Sequence, residues 1–364
     1  MNFIDLKTQY QRIKPQVQQR INDVFEHGQF IMGPEIAELE AGLADMTQAK
    51  HCISVSNGTD ALVIAMMALG IKPGDEIITP AFTYFATVET IMLLGAKPVV
   101  VDIDPNTYNI NPDLIEAKIT AKTKAIIPVS LYGQCADFTR INAIAEKHGL
   151  PVIEDAAQSF GATHHGKASC NLSTIATTSF FPAKPLGAYG DAGACFTNDD
   201  ALAALMNSIR LHGEEGRYNH ARLGLNGRMD TMQAAMMLPK LDIYADEMER
   251  RQQVATCYRE HLLESITTPF IESYNLSAYA QFTIQVDNRE ALRECLSAEG
   301  IPTAIHYPKP VTEQPAFQAV MGNVHGDIPI SEAVAKRVMS LPFHPYLEAD
   351  DVKKIADIIN QFVS

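Results

Sequence analysis

The sequence predicts an α/β fold, with a large, mostly parallel sheet covered by helices on both faces and a smaller α/β unit at the carboxyl end. Between residues 51 and about 200, short apolar runs alternate with amphipathic segments, which is typical of a parallel sheet. Several runs are continuously apolar, as in strands that are buried on both faces. After residue 240 the order of elements changes. A chain of 364 residues is long enough for two domains of roughly 100–200 residues each.

The predicted strands of the large sheet are seven short apolar runs. They span residues 51–56, 76–80, 98–103, 125–131, 151–154, 177–181 and 194–197. Segments 60–69 and 138–147 have helical spacing and charged outer faces, and they predict connecting helices. Ligands of such sheets bind beyond the carboxyl ends of the strands, so a functional site is expected at that edge.

The smaller unit is predicted from its own succession of elements. A charged helix at 230–262 precedes a strand at 279–286, a helix at 289–299, a strand at 302–306 and a closing helix at 350–362. Residues 308–327 are rich in Pro and Gly and predict a loop. We therefore expect a large domain over 1–240, in which 1–35 form an N-terminal arm and helix, and a small domain over 241–364.

The charge of the chain excludes some classes of partner. Lys and Arg number 29 against 43 Asp and Glu, which gives a net charge of −14 and opposes binding to nucleic acid or anionic lipid. The longest apolar stretch, residues 63–69, is too short to span a bilayer, and the first residues carry no apolar signal core. We expect a cytoplasmic protein without nucleic-acid or membrane partners.

Cysteines and histidines predict neither disulfides nor a metal site. The six cysteines contain no CxxC pair, so we expect reduced, mostly buried thiols. His164 and His165, and His212 with His220, lack carboxylate companions and the spacing of metal ligands. We therefore expect no metal.

The segment SNGTDA at residues 56–61 lies where a predicted strand ends and a helix begins. Small residues allow a ligand to approach the backbone, and the first N–H groups of a helix have no intrahelical partner, so the segment suits a phosphate. A plain helix cap by Asn57 or Thr59 explains the same residues without a ligand. The segment alone leaves both interpretations open.

Asp155 ends an apolar strand in the segment VIEDAAQ, residues 152–158. A buried, unpaired carboxylate is costly to ionise, so Asp155 needs a cationic partner. A protonated pyridine nitrogen, an arginine or a helix N-terminus could serve. Gln158 is close enough in sequence to reach the same ligand.

Lys184 lies in SFFPAKPLGAYGDAG, residues 179–193, among aromatic residues, two prolines and glycines at triplet spacing. Most lysines are solvated, but this context partly removes water from the amine. Desolvation lowers the pKa of an amine and favours the neutral nucleophile that forms a Schiff base. We assign Gly187, Gly190 and Gly193 a role in turns.

Together these three segments resemble the DegT family of nucleotide-sugar aminotransferases, which are fold type I enzymes that use pyridoxal phosphate. The resemblance covers nearly the whole chain, through FIDL at 3–6, GQFIMGPE at 28–35, PAFTYFAT at 80–87, LNGRMD at 225–230 and HYP at 306–308. It implies the fold type I architecture. One departure is Ala192, where relatives commonly have glycine, because its methyl group excludes glycine-only backbone angles.

The resemblance implies roles for single residues around the cofactor. Lys184 would bind the cofactor covalently and move a proton between it and the sugar carbon, while Asp155 would pair with the ring nitrogen. Gln158 would contact the 3-hydroxyl, and Tyr84 would stack on the ring.

The resemblance also implies how the phosphate is held and that two subunits share each site. Gly58, Thr59 and Ser179 would bind the phosphate, together with Asn226 of a neighbouring subunit, because the family builds its sites at a homodimer interface.

Three further residues, Arg228, His306 and Tyr307, fall where the family contacts its nucleotide sugar. Without the family context, Tyr84 could be core packing, Arg228 an ion pair with Asp230, and His306 a structural histidine.

The implied reaction moves an amino group from glutamate, which leaves as 2-oxoglutarate, to a keto-sugar nucleotide. Runs at 126–137, 154–161 and 169–174 resemble members that aminate C3 of UDP-2-acetamido-2-deoxy-3-oxo-glucuronate, for surface polysaccharides such as the O-antigen. The alternatives are a dTDP- or UDP-linked keto-6-deoxy sugar, or a cofactor-binding regulatory protein. A uronate needs a cationic contact, for which Arg228 is the candidate.

Overall fold

Helices and strands alternate along most of the chain in the computed structural model, which describes residues 1–322 and 327–364. The helices are α1 (Leu6–His27), α2 (Pro34–Thr47), α3 (Gly58–Ala68), α4 (Ala86–Leu93), α5 (Phe138–Lys147), α6 (Asp200–Arg210), α7 (Thr231–His261), α8 (Arg289–Ala298), α9 (Pro315–Met321), α10 (Pro329–Arg337) and α11 (Ala349–Val363). The strands are β1 (His51–Val55), β2 (Glu76–Pro80), β3 (Lys97–Val101), β4 (Thr123–Ile126), β5 (Ile153–Asp155), β6 (Thr163–His164), β7 (Lys167–Ala168), β8 (Ile175–Ser179), β9 (Gly193–Thr197), β10 (Asn275–Leu276), β11 (Phe282–Gln285) and β12 (Val338–Leu341).

The large sheet contains seven strands in the order β1-β9-β8-β5-β4-β2-β3. A four-stranded part, β1-β9-β8-β5, and a three-stranded part, β3-β2-β4, are joined by parallel bridges from Ile126 to Val152 and from Val129 to Asp155. Strand β9 runs antiparallel to both of its neighbours, and the other six strands run parallel to one another. This confirms the predicted mostly parallel sheet.

Helices cover both faces of this sheet because its strands are apolar on both sides. Successive residues of β9 point to opposite faces, so Cys195 packs in the layer of α3 and α6, whereas Phe196 packs in the layer of α2 and α7. Most strand residues are buried as a result, which explains why the sequence shows continuous apolar runs here.

A separate core forms around the antiparallel pair β11–β12. Tyr258 at the end of α7 packs with Phe282, Met339 and Ile355, which lie on β11, β12 and α11. The predicted division at residues 240 and 241 falls inside α7, and it stays a prediction.

The predictions for this carboxyl-terminal part are wrong at two places. Residues 302–306 form no strand but a single bridge from Ala304 to Ser340, since Pro302 lacks the N–H group of a ladder donor. Residues 308–327 were predicted as a loop but contain α9, whose Pro315 occupies the first helical turn, where proline is tolerated. Residues 323–326 of that predicted loop lie outside the described residues.

Within the described residues, no helix has both the length and the apolar composition needed to cross a bilayer. All six cysteines are free thiols, and four of them are buried. The described part of the chain brings no three His, Cys, Asp or Glu side chains into an arrangement that could hold a metal ion.

Candidate active site

A cavity of about 630 Å³ opens at the carboxyl ends of the strands, where β5 ends at Asp155 and β8 ends at Ser179. Its wall brings together residues that are up to 250 positions apart, as from Asn57 to Tyr307. Nine of the predicted site residues line it: Gly58, Thr59, Tyr84, Asp155, Gln158, Ser179, Lys184, His306 and Tyr307.

Lys184 is a half-buried amine on the cavity wall. Its backbone N–H donates to the carbonyl of Phe181 at 2.8 Å, and Pro185 follows directly, so the backbone is held in a tight turn. Burial lowers the pKa of Lys184 to about 8, although the nearby charge of Asp155 acts in the opposite direction. A substantial fraction of the amine is therefore neutral near physiological pH, as a nucleophile must be.

Asp155 is a buried carboxyl group at the end of β5. It accepts hydrogen bonds from the Thr87 hydroxyl at 2.9 Å and from the Ala157 N–H at 3.2 Å. Burial raises the pKa of Asp155, and Lys184 only partly opposes this. Within the described chain Asp155 has no ion-pair partner, so the site offers a bound cation an unneutralised carboxylate.

The start of α3 and the end of β8 form a narrow cradle. A Cβ atom on Gly58 would lie 2.6 Å from the Cβ of Ser179, so only glycine allows this close approach. Asn57 caps the helix by accepting from the N–H of Asp60 at 2.8 Å. The N–H groups of Gly58 and Thr59 precede that bond and have no intrahelical partner. The cap by Asn57 therefore leaves these two N–H groups available to an anion.

Gln158, Tyr307 and Tyr84 form one side of the cavity. The Gln158 side chain accepts from the N–H of Tyr132 at 2.8 Å and donates to the Tyr307 hydroxyl at 3.0 Å. The ring of Tyr84 lies 5.9 Å from that of Tyr307 and is 59% exposed. Tyr84 is thus available to a ligand and is not core packing.

His306 lines the cavity next to Tyr307, with the two ring centroids 5.8 Å apart. Its Nδ1 lies 2.8 Å from the Ser340 hydroxyl. Burial, together with the charge of Lys184, lowers the pKa of His306 to about 4, so the ring is neutral at pH 7.

Asn226 and Arg228 lie outside the cavity of their own chain. Asn226 is exposed and forms a bridge with Leu211. Arg228 is half-buried, and its Nε is buried without a hydrogen-bond partner among the described residues. The alternative of an ion pair with Asp230 is not found in the described chain.

A role in turns was predicted for Gly187, Gly190 and Gly193, and it is wrong for Gly193, which begins strand β9. None of the three has a positive φ. Gly187 and Gly193 allow a close approach of the backbone, since a Cβ atom would lie 2.5 Å from the carbonyl oxygen of Pro182 in the first case and 2.6 Å from the backbone of Asn57 in the second. Ala192 also avoids positive φ, which explains why alanine can replace glycine there.

Two further residues of the cavity, Thr87 and Gln281, were not predicted from the sequence. Thr87 donates to Asp155 across 68 positions. Gln281 lines the cavity with its Oε1 buried and unpartnered among the described residues. Thr87 ends the family-like segment at 80–87, and this was the only available signal for it. No pattern marks Gln281.

The chain is similar to known proteins both in sequence and in structure. The model of the DegT/DnrJ/EryC1/StrS aminotransferase family matches residues 11–360. The UDP-2-acetamido-2-deoxy-3-oxo-D-glucuronate aminotransferase of Pseudomonas aeruginosa PAO1 is 59% identical over 356 residues, which cover 98% of each chain.

Solved structures agree with the sequence comparison. A DegT DnrJ EryC1 StrS aminotransferase from Brucella abortus superposes with a TM-score of 0.96 at 44% identity, covering 100% of this chain and 99% of that chain. NtdA from Bacillus subtilis, solved with the bound cofactor pyridoxamine phosphate, has a TM-score of 0.89 at 31% identity, covering 99% and 83% of the two chains.

The cavity fits the cofactor of such enzymes. Lys184 supplies a partly neutral amine, the unpaired Asp155 suits a protonated ring nitrogen, and the cradle at Gly58 suits a phosphate group. The predicted fold type I architecture is confirmed by the structural matches. The chain belongs to the DegT/DnrJ/EryC1/StrS aminotransferase family and uses pyridoxal phosphate.

Proposed function

We propose that this protein transfers the amino group of L-glutamate to C3 of UDP-2-acetamido-2-deoxy-3-oxo-D-glucuronate. The observation that supports this substrate is the sequence identity of 59%, over 98% of both chains, to the aminotransferase of Pseudomonas aeruginosa that is named for it. The product would be a precursor of sugars in lipopolysaccharide and its O-antigen. The reaction would take place in the cytoplasm.

The residues around the cavity have different roles in this reaction. Bound pyridoxal phosphate supplies an electron-withdrawing ring and the carbon that carries the amino group. Asp155 would hold a proton on the ring nitrogen, and Lys184 would hold the cofactor covalently and serve as the acid–base group at the reacting carbon. Gly58 and Thr59 donate backbone N–H groups to the phosphate.

The remaining side chains orient the two ligands. The Ser179 hydroxyl completes the phosphate site, Tyr84 covers one face of the ring, and Gln158 faces its 3-hydroxyl. His306 and Tyr307, which are adjacent in the chain, contact the nucleotide sugar. Because these groups are held by hydrogen bonds within the chain, the site is organised before its ligands bind.

The substrate proposal is tested with matched sugars. Purified holoenzyme should aminate the UDP-3-keto-uronate with glutamate as donor, and should act at least about tenfold more slowly on the 3-keto-glucose analogue, which lacks only the carboxylate. Arg228→Ala should lower kcat/KM for the uronate by about 10- to 100-fold and change the analogue less, since a charge-assisted hydrogen bond is lost. Amination of dTDP-keto-6-deoxy sugars, with the UDP-uronate left untouched, would refute the proposal.

We further propose a homodimer in which Asn226 and Arg228 complete the site of the partner subunit. Their positions outside the cavity of their own chain support this arrangement. The exposed Phe25, Phe30 and Ile31 offer apolar surface for such an interface.

Mixing two impaired variants tests the shared site. A hybrid of Lys184→Ala and Arg228→Ala chains contains one site with both residues intact if Arg228 acts across the interface. Random pairing should therefore restore about a quarter of the wild-type activity on the uronate. If Arg228 acts within its own chain, each hybrid site retains one defect and no activity returns.

A further inference from the structure

Lys240 is a lysine of helix α7 that has no exposed surface and does not line the cavity formed by the described residues. Its Nζ donates to the backbone carbonyl of Gly187 at 2.6 Å. The same Nζ lies 3.4 Å from the centre of the Tyr189 ring, which is the geometry of a cation–π contact. Both contacts are made with the segment that follows Lys184 in the chain.

A buried amine is an expensive way to fill space in a protein core. Its charged form loses hydration that protein contacts must replace. Burial lowers the pKa of Lys240 to about 7, and the charge of Glu247 only partly opposes this. An apolar side chain of similar volume would avoid the cost. A lysine at this position therefore indicates that the amine does something other than packing.

Lys184 and Gly187 lie in one closed turn. The N–H group of Ala188 donates to the carbonyl of Phe180 at 2.7 Å, which closes the turn behind them. The two residues between Lys184 and Gly187 are both buried, so this short stretch has little freedom to rearrange. A displacement of the Gly187 carbonyl would therefore also displace the backbone of Lys184.

We propose that Lys240 is a positioning residue that holds the turn of Lys184 through the Gly187 carbonyl and so places the Lys184 amine for covalent attachment of the cofactor. The contact with Tyr189 keeps the Lys240 side chain directed at the turn, and the Tyr189 ring is itself held edge-on by the ring of Tyr10 at 6.0 Å. This role of Lys240 depends on the role proposed for Lys184 and not on the identity of the sugar.

Covalent capture of pyridoxal phosphate by cofactor-free protein tests this role without any sugar. Lys240→Met removes the donor and the charge but keeps a long, unbranched side chain. We expect the rate constant of capture to fall about tenfold, since the Lys184 amine is no longer held in one place. The rate constants are compared at the plateau of the pH profile, where Lys184 is neutral, so that a change in the pKa of Lys184 does not enter.

Turnover of the holoenzyme should respond in kcat rather than in KM. Lys240→Met should lower kcat by about 10- to 100-fold and change KM for the sugar nucleotide less than about twofold, because Lys240 does not line the described cavity. Lys240→Gln keeps an N–H donor on a slightly shorter side chain, without the charge. It should recover part of the loss in both capture and kcat.

Val254→Ala is the matched control for general damage to α7. Val254 is buried on the same helix but packs in the separate core around β11 and β12. Its truncation should lower the melting temperature and leave the rate of capture unchanged. If Lys240→Met does not fold, Lys240→Gln takes its place and should capture the cofactor more slowly than the wild type, whereas a wild-type rate would then overturn the proposal.

The remaining outcomes separate Lys240 from the residues and the substrate around it. Capture and kcat within about twofold of wild type in folded Lys240→Met would overturn the proposal. Capture by Lys240→Gln that is no faster than by Lys240→Met would overturn the hydrogen bond to Gly187 as its cause. Capture by Lys184→Ala at the wild-type rate would refute the role of Lys184 itself. Slower capture by Lys240→Met, in an enzyme that does not aminate the UDP-keto-uronate, would support the role of Lys240 and refute the proposed substrate.

Discussion

Lys184→Ala is expected to lower the rate of amino transfer by at least about 10³-fold. In the proposed mechanism, the substitution removes the covalent attachment of the cofactor and also the group that moves a proton at the reacting carbon. A positioned acid–base group alone contributes about 10²–10⁴-fold. The measurement is product formation from glutamate and the keto-sugar under saturating cofactor.

The same residue should give cofactor capture a characteristic pH dependence. The pKa of Lys184 is lowered to about 8, and the neutral amine is the reacting form, so capture by cofactor-free protein should speed up with rising pH and level off above about 8. An unperturbed lysine would level off only above about 10.4. Asp155 and His306 are the titratable groups that face Lys184 and influence this profile.

A matched lysine distinguishes the chemical role of Lys184 from general damage to the protein. Lys167→Ala removes an exposed amine and should leave both activity and capture unchanged. Lys184→Ala should still bind pyridoxal phosphate reversibly, because the cradle at Gly58 and the carboxyl group of Asp155 remain. Retention by Lys184→Ala of more than about a tenth of wild-type activity would contradict a catalytic role.

The residues that could be predicted from the sequence share one property. The short segment around each of them indicates the environment of its side chain. Lys184 and Asp155 each sit beside a predicted strand, in a short segment whose neighbours already indicate burial. The seven strands of the large sheet were predicted for the same reason, since each run carries its own apolar signal.

The parts that sequence could not predict depend on contacts between distant segments. Ser340 reaches His306 across 34 positions, on strand β12, which has no separate strand signal after α10. The need for glycine at position 193 comes from the backbone of Asn57, far away in the sequence. No local pattern encodes such a clash, so a turn was the natural but wrong interpretation.

Asp155→Asn is expected to reduce kcat by about 10²–10⁴-fold while the cofactor stays bound. Asparagine keeps the shape of the side chain and an oxygen for the Thr87 hydroxyl, but it loses the charge that holds a proton on the ring nitrogen. Removing one member of a buried charge pair typically costs 3–5 kcal/mol, which corresponds to about this factor. Asp155→Glu, which retains the charge but displaces it, should recover only part of the rate.

Asp155→Asn should lower activity in the holoenzyme but increase the stability of the cofactor-free protein. Burial raises the folded-state pKa of Asp155 above its unfolded value of 3.8, so folding favours the protonated form, and its contribution to stability falls as pH rises through the interval between the two values. At neutral pH the ionised carboxylate therefore destabilises the empty site. Asp155→Asn should raise the melting temperature of the cofactor-free protein at pH 7, and the gain should vanish below about pH 3.8.

The difference in melting temperature between holoenzyme and cofactor-free protein depends both on the contact of Asp155 with the cofactor and on the cost of burying Asp155 in the empty site. Wild-type protein gains a cationic partner for Asp155 when the cofactor binds, and Asp155→Asn does not, so this difference should shrink in the variant. Glu154→Gln is the matched control, since Glu154 is also buried, with a pKa raised to about 7, but accepts from Ser169 and Cys170 on the other face of β5. The difference in melting temperature between holoenzyme and cofactor-free protein should be the same in Glu154→Gln as in the wild type. A smaller difference in Glu154→Gln than in Asp155→Asn would mean that the carboxylate facing the cofactor had been assigned to the wrong residue.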